Sequence, residues 1–448
     1  MELPGSIGEA ARRLRSGELT CTGLVRGCLE RIEALQPRLN AFLAVTADAA
    51  MARAETLERE LRAGKDRGFL HGIPVVYKDC LDTAGVRTTM GSRLFAERVP
   101  DADASVVQRL AAAGTVMLGK TNMNEFAAGT SGKNAAYGDV RNPWALDRSP
   151  GGSSSGTAVA VAAGMALAGV GTDTGGSIRI PAACTGGVGL RPTFGRVPAG
   201  GCFPRSFSLD TVAPLAGTVR DCALMFAAMA GDDAERLSGD IAGMRIGVIG
   251  GYSFRDIDAE VEEALRTALD TLLAGGASEL EVEVPVIADA AAAFLDIMLY
   301  EFHQVLGEQW RTREDRGEVF GPVVRANLER GRSIGEAAYR AALATRDAAA
   351  AALQAAFSQV DVLVTPVLPM PTPALDAPPE VFDRQRHFMS PFSLAGLPAI
   401  SIPCGFSREG LPIGMQLVAG RLQETRLFRI AHAYQSVTGW HGGRPQRL

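Results

Sequence analysis

Two segments rich in serine and glycine hold the hydroxyls best suited to chemistry in this chain: Ser149-Pro150-Gly151-Gly152-Ser153-Ser154-Ser155-Gly156 and Gly171-Thr172-Asp173-Thr174-Gly175-Gly176-Ser177-Ile178-Arg179. A serine hydroxyl is a weak nucleophile until a base takes its proton. The five histidines (His71, His303, His387, His432, His441) stand in contexts that read as structural, which turns attention to lysine. Only four of the 45 basic residues are lysines (Lys65, Lys78, Lys120, Lys133). Where base composition drives interchangeable lysines to arginine, a lysine that stays marks a place where a guanidinium will not serve. The chemical difference is that an amine can lose its proton. Lys78 and Lys120 lie in apolar or glycine-rich surroundings, where burial lowers an amine pKa from ~10.4 toward neutrality. Lys65, between Gly64 and Asp66, reads as solvated. Asp79 beside Lys78 would oppose that shift, but neighbouring side chains of a strand point to opposite faces, so it is expected to turn away.

Other uses of the two segments fit less well. Neither completes G-x-x-x-x-G-K-[ST], and the G-x-G-x-x-G register from Gly169 fails at Thr174, so no nucleotide site is expected. Gly152 to Gly156 formally fits the G-x-S-x-G elbow of an α/β-hydrolase esterase. That elbow needs a strand directly before it, and Asn142 to Pro150, with two prolines, supplies none. A flexible linker is the bland alternative. Against it, Ala158 to Val170 reads as a buried helical run, so the loop would open a core helix and aim free N–H groups forward.

The elements that must position these groups alternate. Residues 1–67 read as helices, with Val25, Cys28, Leu29, Ile32 and Leu35 at helical spacing and Thr20 and Thr22 as N-caps. From Gly72 onward short β-rich runs (Ile73–Tyr77, Gly114–Leu118) flank a helix carrying Val106, Val107 and Leu110. The pattern repeats over 244–285, and such alternation argues for an α/β sheet. Ser333 to Glu336 reads as a capping box opening an Ala-rich helix, Val360–Val364 as a strand, and Pro366 to Pro379 as an ordered loop. Ala399–Cys404 and Pro412–Val418 read as a hairpin, followed by a helix with Leu427, Ile430, Ala431 and Tyr434.

Composition bounds the function. The apolar fraction of 47% excludes disorder, and a net charge of −5 without a basic run argues against nucleic acid. The longest apolar stretch falls short of the ~20 residues that span a bilayer. Seven scattered cysteines form no C-x-x-C pair, so neither metal nor disulfide frame is expected. Met1 to Gly5 has no basic or apolar leader pattern, and the expected location is the cytoplasm.

Gly152 to Gly156, Gly175-Gly176-Ser177-Ile178-Arg179-Ile180-Pro181-Ala182 and Gly72-Ile73-Pro74-Val75-Val76-Tyr77-Lys78-Asp79 together resemble the amidase signature family. Lys120 to Phe126, Gly189 to Thr193 and Gly396 to Ile400 extend the resemblance over nearly the whole chain. It implies an α/β fold with a central mixed β-sheet between layers of α-helices, in a single domain over 1–448: a helical segment at 1–67, a signature core at 72–220, and the remaining sheet, helices and pocket loops at 221–448. It also implies a Ser–cis-Ser–Lys triad: Ser177 as nucleophile, Ser153 after a cis peptide as relay, and Lys78 as base. Thr174, Gly175, Gly176 and Ser177 match the oxyanion hole, and Ser154, Thr172 and Asp173 are expected to brace the loop. Lys120 is expected in a turn, with a supporting role. Tyr77, Cys80 and Ala213 depart from family usage and are expected to reshape the pocket. Arg205, His387 and Met389 are candidate substrate contacts, the first two for a carboxylate or polar head. No cofactor is implied.

The expected activity is hydrolysis of a small carboxylic or ureido-type amide through an acyl-enzyme, releasing ammonia or an amine. The expected partner is the small-molecule amide, with no nucleic acid or membrane and a homodimer as the candidate assembly. The alternative is the glutaminase A subunit of a tRNA-dependent amidotransferase. The free amidase is favoured because residues 321–345 resemble simple amidases.

Overall fold

In the computed structural model, which describes residues 2–232, 237–313 and 315–445, the short apolar runs join one 11-stranded mixed sheet. Its strands are β1 (Phe42–Val45), β2 (Pro74–Lys78), β3 (Val116–Thr121), β4 (Ala168–Asp173), β5 (Val188–Arg191), β6 (Thr211–Ala216), β7 (Arg245–Ile249), β8 (Ser278–Val282), β9 (Val362–Pro366), β10 (Ala399–Phe406) and β11 (Pro412–Val418). Across the sheet they run β1-β3-β2-β4-β6-β5-β10-β11-β9-β7-β8. β2 is parallel to β3 and β4, and β7 is parallel to β8 and β9; the other pairs are antiparallel. Every residue of β2, β4, β5 and β6 is buried, as expected where helices cover both faces and the strand sequence need not alternate.

The N-terminal helices Ile7–Ser16, Cys21–Leu39 and Ala47–Arg62 form as their spacing predicts. Thr20 caps the second through its hydroxyl, whereas Thr22 instead donates its hydroxyl to Glu58 at 2.7 Å. The edge strand β1, four residues long, gives too short a pattern to stand out.

Three expectations change. Ala158 to Val170 is not one helix: the helix Ser155–Ala162 stops before Gly164, whose φ of +66° turns the chain, and β4 begins at Ala168. Periodicity alone does not separate a buried helix from a buried strand. β3 runs on to Thr121, so Lys120 lies inside a strand opposite Tyr77 rather than in a turn. The capping box at Ser333 is unused. Ser333 ends the helix Pro322–Ser333, and the helix Glu336–Ala356 starts after an extended Gly335.

Candidate active site

Parallel pairing of β2 with β4, with Tyr77 opposite Val170, sets their carboxyl ends side by side. Lys78 is the last residue of β2, and Thr172 and Asp173 close β4. Crevices beyond the carboxyl ends of parallel strands are where open α/β sheets place their ligands. The Gly151–Ser154 loop enters the helix Ser155–Ala162 over the same end, and its Gly152–Ser153 peptide is cis. A Cβ at Gly152 would press on Asn124 Oδ1 and stand 3.1 Å from the Thr130 carbonyl carbon and 3.2 Å from the Gly132 nitrogen, so the position favours glycine.

Lys78 and Ser153 are fully buried. The Lys78 Nζ donates to Ser153 Oγ and to Thr172 Oγ1, each at 2.7 Å, and forms no ion pair among the described residues. Desolvation pulls its pKa below the usual amine range, against the pull of Cys80, Cys202, Asp210 and Asp173. Asp79 does turn away. Its Oδ2 accepts the Thr89 N–H at 2.8 Å and the Thr89 hydroxyl at 2.5 Å, and its Oδ1 lies 3.7 Å from Lys120 Nζ. Burial raises the Asp79 pKa and lowers that of Lys120, each partly offset by the other. Lys120 also donates to Thr88 Oγ1 at 2.6 Å, so it fastens the turn after β2 and bonds to neither Ser153 nor Ser177.

The two serine segments are laced together. Ser154 N–H donates to the Ser177 carbonyl at 3.2 Å, while Ser154 Oγ donates to the Thr172 carbonyl at 3.2 Å and accepts its N–H at 3.3 Å. Asp173, wholly buried, is the hub. Arg179 grips it through two bonds of 2.9 Å, and Arg191 Nη1 stands 3.2 Å from Oδ1. Burial would raise the Asp173 pKa, but Arg179 and then Arg191 hold it far below the carboxylate range. Arg179 continues to Gln416 Oε1 at 2.6 Å and Ser393 Oγ at 2.7 Å, tying the loop to β11 and to the helix Ser390–Leu394.

Ser177 is 6% exposed, and its hydroxyl makes no hydrogen bond among the described residues. Of the four oxyanion-hole candidates, Gly176 gives its N–H to Asp173 Oδ1 at 2.8 Å, which leaves the N–H groups of Thr174, Gly175 and Ser177 without a protein acceptor among the described residues. Gly176 has φ +105°, and a Cβ there would meet Met389 at 2.6 Å. Thr174 takes part through its hydroxyl, which donates to Asp210 Oδ1 at 2.5 Å.

Met389 therefore walls the Ser177 loop. His387 lies against Tyr252, ring centroids 5.0 Å apart, and burial lowers its pKa, which disfavours its charged form. It borders a cleft of about 570 Å³ with Met298, Arg330, Arg386 and Ser390. Arg205 is buried with its guanidinium carbon 3.6 Å from the Phe302 ring centroid. Tyr77 pairs with Lys120 across the sheet, and Ala213 packs with Ala158, Ile178, Ala182 and Leu215. Cys80 does stand close, its Sγ 4.0 Å from Thr172 Oγ1. Sequence reasoning misses the part played by Arg179, Arg191 and Asp210, although all three lie inside or beside the quoted motifs. The available signal is charge: two arginines and an acid in segments otherwise small and apolar.

The Amidase family model matches residues 23–428. The A subunit of glutamyl-tRNA(Gln) amidotransferase from Chloroflexus aggregans is 41% identical, over 98% of each chain. Among solved structures, a crystal structure of an amidase is similar with a TM-score of 0.89 at 35% identity, covering 96% of this chain and 99% of that one. The corresponding A subunit from Thermotoga maritima has a TM-score of 0.78 at 32% identity, covering 94% and 95%.

Proposed function

The chain belongs to the amidase family, an amide-bond hydrolase family, and from that premise we propose that it hydrolyses a primary amide through an acyl-enzyme on Ser177, releasing ammonia. The observation that carries this reading is the buried contact of 2.7 Å between Lys78 Nζ and Ser153 Oγ, together with a Ser177 hydroxyl that has no hydrogen-bond partner among the described residues. Lys78 in its neutral form takes the Ser153 proton as Ser153 takes that of Ser177, and Ser177 Oγ attacks the carbonyl. The N–H groups of Gly175 and Ser177 face the oxyanion that develops. The proton returns through Ser153 to the departing ammonia, and water then cleaves the ester.

For the amide itself, the 41% identity to an amidotransferase A subunit over 98% of both chains supports glutamine, with ammonia handed to a partner subunit. This favours the glutaminase alternative over the free amidase that residues 321–345 suggest. The free amidase stands as a second reading on one observation: the fit of 0.89 to a solved amidase against 0.78 to a solved amidotransferase chain. Seven free cysteines suit a reducing compartment such as the cytoplasm under either reading.

Ammonia release from purified protein separates them. Glutamine as the one amide turned over, faster when the partner subunits are added, supports the amidotransferase role. Brisk turnover of other primary amides by the chain alone supports the free amidase. No ammonia from any amide sinks both.

A further inference from the structure

The segment from Cys202 to Asp210 runs from the base to the oxyanion loop. Phe203 N–H donates to the Cys80 carbonyl at 2.9 Å, two residues beyond Lys78. At the other end, Asp210 accepts the Thr174 hydroxyl on Oδ1, and on Oδ2 the backbone N–H groups of Arg205 at 2.7 Å and Ser206 at 3.0 Å. The Arg205 backbone and the oxyanion loop thus share one carboxylate. One helix face joins the oxyanion loop to Arg205. On the helix Ala290–Thr312, Phe294 abuts Gly175, Met298 lines the cleft, and Phe302 lies beneath the Arg205 guanidinium, at i, i+4 and i+8 along one face.

Arg205 is 3% exposed, yet none of its guanidinium N–H groups has an acceptor among the described residues, and Nε and Nη1 are fully enclosed. The nearby acids are occupied elsewhere. Asp210 holds the three donors above, and Glu301 accepts from the hydroxyls of Ser206, Ser208 and Tyr339 and from Ser208 N–H. Burial draws the Arg205 pKa down to about 9, and the positive charge of Arg386, itself paired with Asp383 at 2.8 Å, acts the same way against the smaller pull of Asp210. A buried cation stacked on a ring but lacking every hydrogen bond is costly, and an incoming anion would relieve it.

We infer that Arg205 is the specificity residue of this site, taking a carboxylate borne by the substrate while the amide end lies at Ser177. The inference rests on the amide-hydrolase reading and narrows it to carboxylate-bearing primary amides. Glutamine and the monoamides of dicarboxylic acids share that chemistry.

The test compares kcat/KM of the full-length protein for glutaramate, glutamine and neutral valeramide. The wild type is expected to favour the carboxylated amides over valeramide. In Arg205→Met that ratio is expected to fall ~10- to 100-fold, the range of a hydrogen bond to a charged group, and Arg205→Lys is expected to restore part of it. Glutamine above glutaramate identifies an amino-acid substrate; the reverse identifies a dicarboxylic monoamide. A folded Arg205→Met enzyme with the wild-type ratio, or a wild type that prefers valeramide, overturns the inference. Calorimetric binding of glutarate to Ser177→Ala protein gives a second reading that needs no turnover. Saturable binding weakened in Ser177→Ala/Arg205→Lys supports the anion site even if no amide is cleaved, and absence of binding overturns it.

Discussion

Lys78 Nζ lies 2.7 Å from Ser153 Oγ and equally far from Thr172 Oγ1, at a position without solvent and without an ion-paired carboxylate among the described residues. An amine so placed has two hydroxyls to bond and no ion-paired carboxylate to hold its proton, the charges of Asp210 and Asp173 acting only from further off. The nearest carboxylate in sequence, Asp79, is engaged by Thr89 and Lys120.

Replacing Lys78 with arginine keeps a cation but removes a group able to give up its proton. Turnover of a primary amide by Lys78→Arg is expected to fall by roughly 10²–10⁴-fold, the range for loss of acid–base catalysis. Near-normal kcat in a folded Lys78→Arg protein would rule out the lysine base.

The lowered Lys78 pKa fixes two signs. Activity should rise with pH through that pKa, because the neutral amine is the competent form. Stability should move the same way: between the folded pKa and the unfolded value near ~10.4 the unfolded chain binds the extra proton, so unfolding free energy increases with pH. Calorimetric melting of wild type and Lys78→Met across that window should give the steeper rise in the wild type. Parallel pH slopes for the two proteins would contradict a lowered Lys78 pKa.

The reach of the sequence follows from how local each signal is. Lys78 stands out because an amine at the end of an apolar strand is rare in a chain that otherwise uses arginine, and that argument needs only neighbours in sequence. The outcome at Ala158 to Val170 differs because a buried helix and a buried strand carry the same apolar run, and only the turn at Gly164 divides them. The bonds from Arg179 to Gln416 and Ser393 span 237 and 214 residues, so no spacing rule could pair them. Residue type alone nominates Arg205 as a carboxylate partner. Its missing acceptors are visible only once Asp210 and Glu301 are seen to be occupied.

Ser177, with an unbonded hydroxyl beside glycine N–H groups, is the expected site of acylation. A fluorophosphonate probe should label the wild type at Ser177, as read by peptide mass spectrometry, and should leave Ser177→Ala unlabelled. Ser154, whose hydroxyl already bonds Thr172 twice, should stay unmodified. Modification at Ser154 would revive the hydrolase-elbow interpretation.

Asp173 is held by two buried arginines, and its removal tests what keeps the Ser177 loop in place. Asp173→Asn leaves Arg179 and Arg191 buried against a neutral amide, and stranding buried charge in this way typically costs about 3–5 kcal/mol. Urea unfolding should record a loss of that order, with activity falling as the Gly176 N–H loses its anionic acceptor. The pH dependence separates charge from shape. Because the folded Asp173 pKa lies far below the unfolded value of ~3.9, its contribution is complete above about pH 4 and is lost as pH falls through the folded pKa. Wild type should therefore lose stability faster than Asp173→Asn below pH 4, and equal slopes would mean that Asp173 is not ionised in the folded protein. Removing one cation as well, in Asp173→Asn/Arg191→Met, should recover part of the loss, since Arg191 already carries a pKa lowered by burial to about 10.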